Sequence, residues 1–160
     1  EGARLRARQL RGGNPPAVFT YLTSNFAMSE NSYPYTHVMG TCNYNLAATL
    51  ALSALANPRS QQMQGRYEDR RRKGCRLCLI DAVSSFKNYS GGIYNETKFG
   101  TSTNHAVNIV GWGSSNGTEY WLLRNSWNTT WGEKGYMRMA ITGGSGICNI
   151  LLHGNLPTAN

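Results

Sequence analysis

The sequence lacks any long apolar segment. Its 160 residues are 40% hydrophobic, yet no apolar run approaches the ~18 residues that a membrane-spanning helix requires, so we expect no transmembrane segment. No apolar leader follows Glu1, and we expect any targeting segment to have been removed or to lie upstream. The length fits one domain, or most of one.

Cysteine is also scarce, with four in the chain. Cys75 and Cys78 have the spacing of metal ligands, but no second cysteine pair and no paired histidines complete a site. His37 and His153 have no recognisable partners, and we interpret them as surface residues. We therefore expect no metal site and no cofactor.

Acidic residues are few, eight against 16 Lys and Arg, which gives a formal net charge of +8. Eleven of the cations and only three of the acids lie in residues 1–11 and 46–78, so the rest of the chain is neutral. The basic run Arg70–Lys73 could contact phosphates, but it lacks interleaved aromatic residues and is more typical of a solvated segment. Binding of nucleic acid by the basic segment is a third hypothesis for the function, and we do not expect nucleic acid as a partner.

The first part of the chain predicts short helices. Asn14 can cap a helix whose first turn holds Pro15, and the apolar residues that follow have helical spacing, so we predict a helix that ends near Ser24 and Asn25. Residues 46–56 are predicted to be helical by propensity. The basic stretch that follows, to Lys73, predicts no regular structure.

From Leu79 onward, short apolar runs alternate with glycine and asparagine, which is typical of strands and turns. Residues 105–112 and 119–125 predict two antiparallel strands joined by a turn at 114–117. Residues 135–141 predict a third strand. The second half should therefore form a β-meander.

The hairpin predicts which side chains meet. In an antiparallel pair the numbers of facing residues sum to a constant, and a turn at 114–117 makes that constant 231. His105 should then face Ser126, with Asn125 one position away and within the ~5 Å of cross-strand neighbours. An imidazole held by an amide has one tautomer and one orientation, as a general base requires.

Four tryptophans flank this hairpin or lie within it. Trp127 and Trp131 lie in the loop before the third strand, and we expect their indoles to cover the end of the hairpin and its histidine. We interpret Trp112 and Trp121 as core residues.

Several motifs in this half resemble those of papain and the cathepsins. They are Asn104-His-Ala-Val107, Gly111-Trp-Gly113, Tyr120-Trp-Leu122, Asn125-Ser-Trp127 and Trp131-Gly-Glu-Lys-Gly-Tyr136. Further stations of that family occur upstream in the same order, at Gly12-Gly13 with Pro15, Ser32–Tyr35 with Cys42, Ile80–Ala82 and Gly91–Tyr94. The resemblance covers residues 11–45 and 79–160, and residues 1–160 are interpreted as a partial peptidase domain of this type.

The resemblance implies an α+β fold of papain type: most of the β-rich right-hand domain and a remnant of the helical left-hand domain. It implies peptide-bond hydrolysis through a thioester, with His105 as the base and Asn125 as its orienting partner. Trp127 would shield their hydrogen bond and border the leaving-group side. The remaining implied substrate contacts are Gly12 and Gly13, against the substrate backbone, and Asn14, Pro15, Thr103 and Asn104, in a side-chain subsite.

The chain departs from the family where the nucleophile belongs. Papain-like enzymes place that cysteine ~130 to 150 residues before the histidine, and no Cys-Gly-Ser-Cys-Trp sequence or preceding glutamine occurs here. We expect the chain as given to be inactive; the alternative is a non-catalytic homologue that binds peptides or a partner.

Two stretches and the cysteines also depart from the family pattern. Leu10 replaces a cysteine and none lies between Tyr94 and His105, so Cys42 and Cys148 lack the disulfide partners that the resemblance implies. Residues 1–10 and 46–78 depart most, and we hypothesise that they arise from disturbed reading frames or unspliced sequence.

The expected partners and compartment also come from the resemblance. They are a peptide or protein substrate, a propeptide or a cystatin-like inhibitor, and a lysosomal or extracellular location. Four sequons suit such a location, although chance alone supplies about 2.6 in this composition. The candidate glycosylation residues are Asn88, Asn95, Asn116 and Asn128.

Overall fold

The computed structural model describes residues 13, 15–22, 25, 27–36, 38, 40–50, 54–55, 76–155 and 158–159. The chain divides into two compact units, one of residues 1–58 with 157–160 and one of residues 59–156. Several sequence predictions lie outside the described residues. These concern Gly12, Asn14, His37, residues 1–10 and the basic run 70–73.

The first unit contains the predicted first helix and short strand pairs. Helix α1 spans Pro15–Leu22, which confirms the predicted helix and its start. Strand β1 (Ala27–Met28) pairs antiparallel with β2 (Thr49–Leu50). Strand β3 (Ala54–Leu55) pairs antiparallel with the last strand of the chain, Thr158–Ala159.

The helix predicted over 46–56 is wrong in its described part. The segment starts with a 3-10 turn, Leu46–Ala48, in which the Ala47 N–H donates to Asn45 Oδ1 (3.0 Å), and it then enters β2 and β3. Strand pairing with Ala27 and Met28 supplies the backbone partners that a helix would otherwise provide. Tertiary pairing therefore overrides the helix propensity of this alanine- and leucine-rich stretch.

The second unit is built on one six-stranded sheet. The elements that follow along the chain are β4 (Arg76–Ile80), helix α2 (Ser84–Lys87), β5 (Ile93–Tyr94), β6 (His105–Ser115), β7 (Thr118–Arg124), β8 (Tyr136–Ala140), a 3-10 turn (Ile147–Asn149), β9 (Gly154–Asn155) and, in the first unit, β10 (Thr158–Ala159). The order of the strands in the sheet is β5-β8-β7-β6-β4-β9, and all neighbours are antiparallel except β5 and β8. The three predicted strands of the meander are confirmed as β6, β7 and β8.

Strand β4 joins the end of the anomalous basic segment to the sheet. Arg76 pairs with Ile109 and Cys78 with Val107 on β6, while β9 pairs on the other side of β4. Arg76 is only 6% exposed and Cys78 is fully buried. The last residues of the segment 46–78 are thus part of the fold, whatever the origin of the rest.

The core of this unit lies on one face of the sheet. Alternate residues of β6 and β7 are buried, including Val107, Ile109 and Leu123, as the two-residue strand period requires. Phe86 of α2 is fully buried against the same core. Among the described residues, no helix is long and apolar enough to span a membrane.

The hairpin register differs from the predicted one. The turn contains only Asn116 and Gly117, both at positive φ (50° and 76°), which is typical of tight hairpin turns. Paired positions sum to 233 beside the turn, where Ser115 faces Thr118, and to 232 where Asn108 faces Arg124, because the register shifts between Ile109 and Gly111. The predicted constant of 231 and the facing of His105 with Ser126 are therefore wrong.

The two tryptophans assigned to the core behave differently. Trp121 is buried, as predicted, but Trp112 is 52% exposed. Trp112 lies past the register shift, where each residue from 110 to 115 is at least partly exposed. This end of the hairpin extends beyond the core. The Trp112 indole is therefore exposed, although Trp112 faces the buried Trp121 across the strands.

Candidate active site

His105 and Asn125 lie side by side at one end of the β6–β7 pair. His105 is the first residue of β6 and Asn125 directly follows β7. Their side chains project from the face that carries Val107 and Leu123, and His105 Nε2 lies 2.9 Å from Asn125 Oδ1. The predicted adjacency is confirmed, although the register that produces it is not the predicted one.

A backbone group fixes the orientation of the Asn125 amide. The Ser126 N–H donates to Asn125 Oδ1 (2.7 Å), so the oxygen, and not the Nδ2 group, must face this donor and His105. An oxygen can only accept, and His105 Nε2 must therefore carry the proton in this bond. Neutral imidazole has one N–H, so Nδ1 is left as the acceptor, which is the form that a general base needs.

Trp127 covers the His105–Asn125 pair. Its indole stacks on the His105 imidazole with ring centroids 4.5 Å apart and 26° between the planes. Trp131 packs edge-on against Trp127 (5.5 Å), and its Nε1 donates to Lys87 O (3.0 Å). The predicted aromatic cover is confirmed for Trp127, and Trp131 supports Trp127 from behind.

The core also contacts the imidazole and the indole. Phe86 of α2 lies edge-on to His105 (6.3 Å) and to Trp127 (5.7 Å).

Asn125 Nδ2 is buried and has no hydrogen-bond partner among the described residues. An unpaired buried amide costs about 1–3 kcal/mol, so this arrangement favours the His105 contact over the full satisfaction of Asn125.

The substrate-binding residues predicted from the resemblance are only partly described. Gly13 and Pro15 belong to the first unit, and Pro15 starts α1. Thr103 is half-buried and precedes β6. These residues keep their predicted substrate role as a prediction.

Asn104, a further predicted subsite residue, has its amide bound within the fold. Its Oδ1 accepts the Ala82 N–H (2.8 Å) and its Nδ2 donates to Asp81 Oδ1 (2.9 Å). Asp81 was not assigned a role from the sequence, because 23 residues separate it from Asn104 and only the sheet brings them together. The motif Ile80–Ala82 was the one signal that could have pointed to it.

The described cysteines lie in unlike surroundings. Cys78 and Cys148 are fully buried, whereas Cys42 is exposed in the first unit. Burial raises the pKa of the Cys148 thiol to about 11, and Tyr94 Oη lies 4.0 Å from its sulfur. A buried thiol with a raised pKa is a poor nucleophile, so Cys148 does not have the properties of the missing catalytic cysteine, and Cys78 is as deeply buried as Cys148.

A second polar cluster lies beside β5 and β8, at one edge of the sheet. Arg138 of β8 forms a forked ion pair with Glu133, with Nη2 2.6 Å from Oε1 and Nε 3.0 Å from Oε2. The Gly92 N–H also donates to Glu133 Oε1 (3.0 Å). The cluster joins the start of β5 to β8 and has a structural function.

These features define a class of site: an imidazole held in its Nε2–H form by an asparagine, under an indole, at one end of a β-sheet. Comparison with known proteins extends this result. The sequence pattern of the papain family cysteine proteases matches residues 6–156. This chain therefore belongs to the papain family of cysteine proteases.

Individual relatives agree with that assignment. Fruit bromelain of Ananas comosus is 37% identical over 163 residues, covering 92% of this chain and 43% of the relative, and a cathepsin L-like proteinase of Fasciola hepatica is 37% identical over 150 residues, covering 91% and 45%. The chain thus spans less than half the length of these curated relatives.

Solved structures show the same fold. The bromelain protease of Ananas comosus, in complex with the E64 inhibitor, gives a TM-score of 0.79 at 33% identity and covers 93% of this chain and 71% of that one. A digestive procathepsin L 3 of Tenebrio molitor gives 0.73 at 32% identity, covering 92% and 49%. The predicted α+β papain-like fold is confirmed.

Proposed function

We propose that His105 and Asn125 are the base and the orienting amide of a peptidase that cleaves peptide or protein substrates through a thiolate. The observation that carries the proposal is that Asn125 Oδ1 accepts two hydrogen bonds, one from the Ser126 N–H and one from His105 Nε2. This geometry leaves His105 Nδ1 as the acceptor that a thiol proton requires.

The chemistry proceeds in two stages. His105 Nδ1 takes the proton of a cysteine thiol, the thiolate attacks the carbonyl carbon, and the imidazolium returns the proton to the amine as the C–N bond breaks. Water, deprotonated by the same imidazole, then hydrolyses the thioester and releases the acid. In both stages Asn125 stabilises the imidazolium and Trp127 limits the access of water to the hydrogen bond.

We further propose that the 160-residue chain does not perform this reaction alone. Two of the three described cysteines are fully buried, and no cysteine of the chain lies in a Cys-Gly-Ser-Cys-Trp sequence. Without a nucleophile, the remaining residues provide no covalent catalysis. The nucleophile is then supplied by sequence that is not in this chain.

The test joins the chain to a segment that carries the Cys-Gly-Ser-Cys-Trp sequence and uses a fluorogenic dipeptide substrate. The purified chain should show no turnover that a thiol-reactive inhibitor abolishes, and the joined protein should show it. In the joined protein, His105→Ala should reduce that turnover more than ~10³-fold. His153→Ala changes an exposed histidine and should leave the turnover unchanged. Inhibitor-sensitive turnover by the chain alone, or full activity of His105→Ala, would contradict the proposal.

The alternative is a peptide-binding homologue without catalysis. The arrangement of the cysteines favours it, because His105 and Asn125 are in contact while Cys78 and Cys148 are buried. Fluorescence anisotropy with a labelled extended peptide separates the two functions. Binding by the chain without turnover by the joined protein favours the binding function.

The remaining family expectations become proposals of the same kind. The four sequon asparagines are exposed, and exposure supports their use as glycosylation sites in a lysosomal or extracellular protein. The relatives include a procathepsin and a complex with an inhibitor, and by analogy a propeptide or a cystatin-like inhibitor would bind here. A mass decrease on enzymatic removal of N-linked glycans from secreted material tests the first point.

A further inference from the structure

A buried carboxylate lies directly beside the strand that carries His105. Asp81 follows β4 and is 9% exposed. Each of its two oxygens accepts a hydrogen bond: Oδ2 from the Gly100 N–H (2.7 Å) and Oδ1 from Asn104 Nδ2 (2.9 Å). Charge-assisted bonds of this kind are stronger than those between neutral groups. The carboxylate therefore binds both ends of the short segment from Gly100 to Asn104.

Asn104 is held at three of its atoms. Its amide oxygen accepts the Ala82 N–H (2.8 Å), its Nδ2 donates to Asp81, and its backbone N–H donates to Ile80 O (2.9 Å). Three consecutive residues at the end of β4 thus bind one residue. The backbone of Asn104 cannot move without breaking at least one of these bonds.

His105 is the next residue and faces Ile80 in the register of β4 and β6. Residues 95–104 form no helix or strand, so the ladder of β4 and β6 begins only at His105 and does not constrain the chain before it. The bonds to Asp81 and its neighbours supply that constraint. They set the position from which the His105 side chain reaches Asn125.

A third segment holds the same junction from behind. The Asp81 N–H donates to Cys148 O (2.9 Å), and Asn149 Nδ2 donates to Gly100 O (2.8 Å). Cys148 and Asn149 both have positive φ, 53° and 64°, a conformation that asparagine tolerates but that is unfavourable for cysteine. The fold accepts this unfavourable backbone in the turn that supports Asp81 and Gly100.

We propose that Asp81 is a positioning residue for His105 and acts through Asn104. The inference rests on the function proposed above for His105, but it concerns where the imidazole is held and not which reaction follows. Asp81 does not act on the substrate. Its carboxylate fixes the start of β6, so that Nε2 stays within hydrogen-bond distance of Asn125.

The donors and acceptors predict the effect of single changes. Asp81→Asn keeps an oxygen for the Gly100 N–H but places an NH₂ group against Asn104 Nδ2. Rotation of the Asn104 amide only moves the clash, because its nitrogen would then face the Ala82 N–H. Asn104→Asp in the same chain removes the clash, since the new carboxylate accepts from both sides. The double variant should therefore restore what Asp81→Asn loses.

The experiment measures the exchange of the His105 imidazole N–H with water in the full chain, by ¹H–¹⁵N spectra of the ring. We expect a slowly exchanging Nε2 proton in the wild type. Asp81→Asn and Asn104→Ala should each speed its exchange on the order of tenfold, as expected from the loss of one hydrogen bond, and Asp81→Asn with Asn104→Asp should recover the slow rate. The Asn104→Ala change is at an exposed residue and keeps the test available if Asp81→Asn does not fold.

The matched control is Glu133→Gln. Glu133 is also a carboxylate that accepts a glycine N–H, from Gly92, but it has no bond to the β4–β6 junction. This variant should lower the melting temperature and leave the His105 exchange rate within about twofold. An equal rate increase in Glu133→Gln, or an unchanged rate in both Asp81→Asn and Asn104→Ala, would overturn the proposal. Slow exchange that depends on Asp81, together with no turnover by the joined protein, would refute the catalytic function and leave the positioning function intact.

Discussion

Replacing Trp127 with alanine should weaken the fold and uncover the His105–Asn125 bond. Trp127 contacts three aromatic rings, those of His105 at 4.5 Å, Trp131 at 5.5 Å and Phe86 at 5.7 Å between centroids. Aromatic pairs contribute about 0.5–1.5 kcal/mol each beyond the area they bury. Because Trp127 is only half-buried, we expect a total loss of about 2–3 kcal/mol, below the ~3–5 kcal/mol of a fully buried residue.

The assay is urea denaturation followed by far-UV circular dichroism. With a denaturant dependence of ~1.5 kcal/mol per molar, the midpoint should fall by about 1.3–2 M. Trp112→Ala is the matched control, because Trp112 lies on the same hairpin and is 52% exposed; it should cost less than ~1 kcal/mol. Equal losses in the two variants would refute the view that Trp127, and not the hairpin as a whole, stabilises this end of the sheet.

Two further predictions concern titratable groups. Hydrogen bonding from Arg138 lowers the pKa of Glu133 in the folded protein, so the pair stabilises the fold above the ordinary carboxyl pKa and loses its contribution as the pH falls through the lowered value. Glu133→Gln should therefore cost about 1 kcal/mol at pH 7 and progressively less as the pH falls below the ordinary carboxyl pKa. A cost that is independent of pH in thermal melts would contradict this. Because Cys148 is fully buried and burial raises the pKa of its thiol to about 11, iodoacetamide at pH 8 should modify Cys42 and not Cys148 in the native chain, and both in urea. Mass spectrometry of the digested protein reports each site, and modification of Cys148 without urea would contradict the assignment.

The candidate site was predictable because strand period and hairpin closure are local properties. Residues that share the parity of the buried Val107 and Leu123 must project from one face, and both His105 and Asn125 have that parity. The Asn116-Gly117 pair is a sequence signal for a two-residue turn, and the prediction missed it by placing the turn over 114–117. The shift between Ile109 and Gly111 leaves no clear sequence signal, so the register next to His105 was not predictable. The errors in the turn and in the register were too small to place His105 and Asn125 apart from each other.

Long-range contacts set the limit on sequence reasoning elsewhere. The helix predicted for 46–56 failed because Thr49 and Leu50 find strand partners more than 20 residues away. Asp81 received no role because its partners, Gly100 and Asn104, are 19 and 23 positions distant. Local propensity contains no information on distant strand partners or on distant hydrogen-bond partners. The family resemblance pointed to the motif Ile80–Ala82, but not to what Asp81 binds.

The position of one proton tests the central claim most directly. Long-range ¹H–¹⁵N spectra of the His105 ring, recorded on the wild type and on Asn125→Ala at pH 8.5, report which nitrogen carries the hydrogen and how well it is protected. We predict a protected proton on Nε2 in the wild type and a rapidly exchanging one in Asn125→Ala. A wild-type proton on Nδ1, or equal protection in the two proteins, would contradict the account of this site.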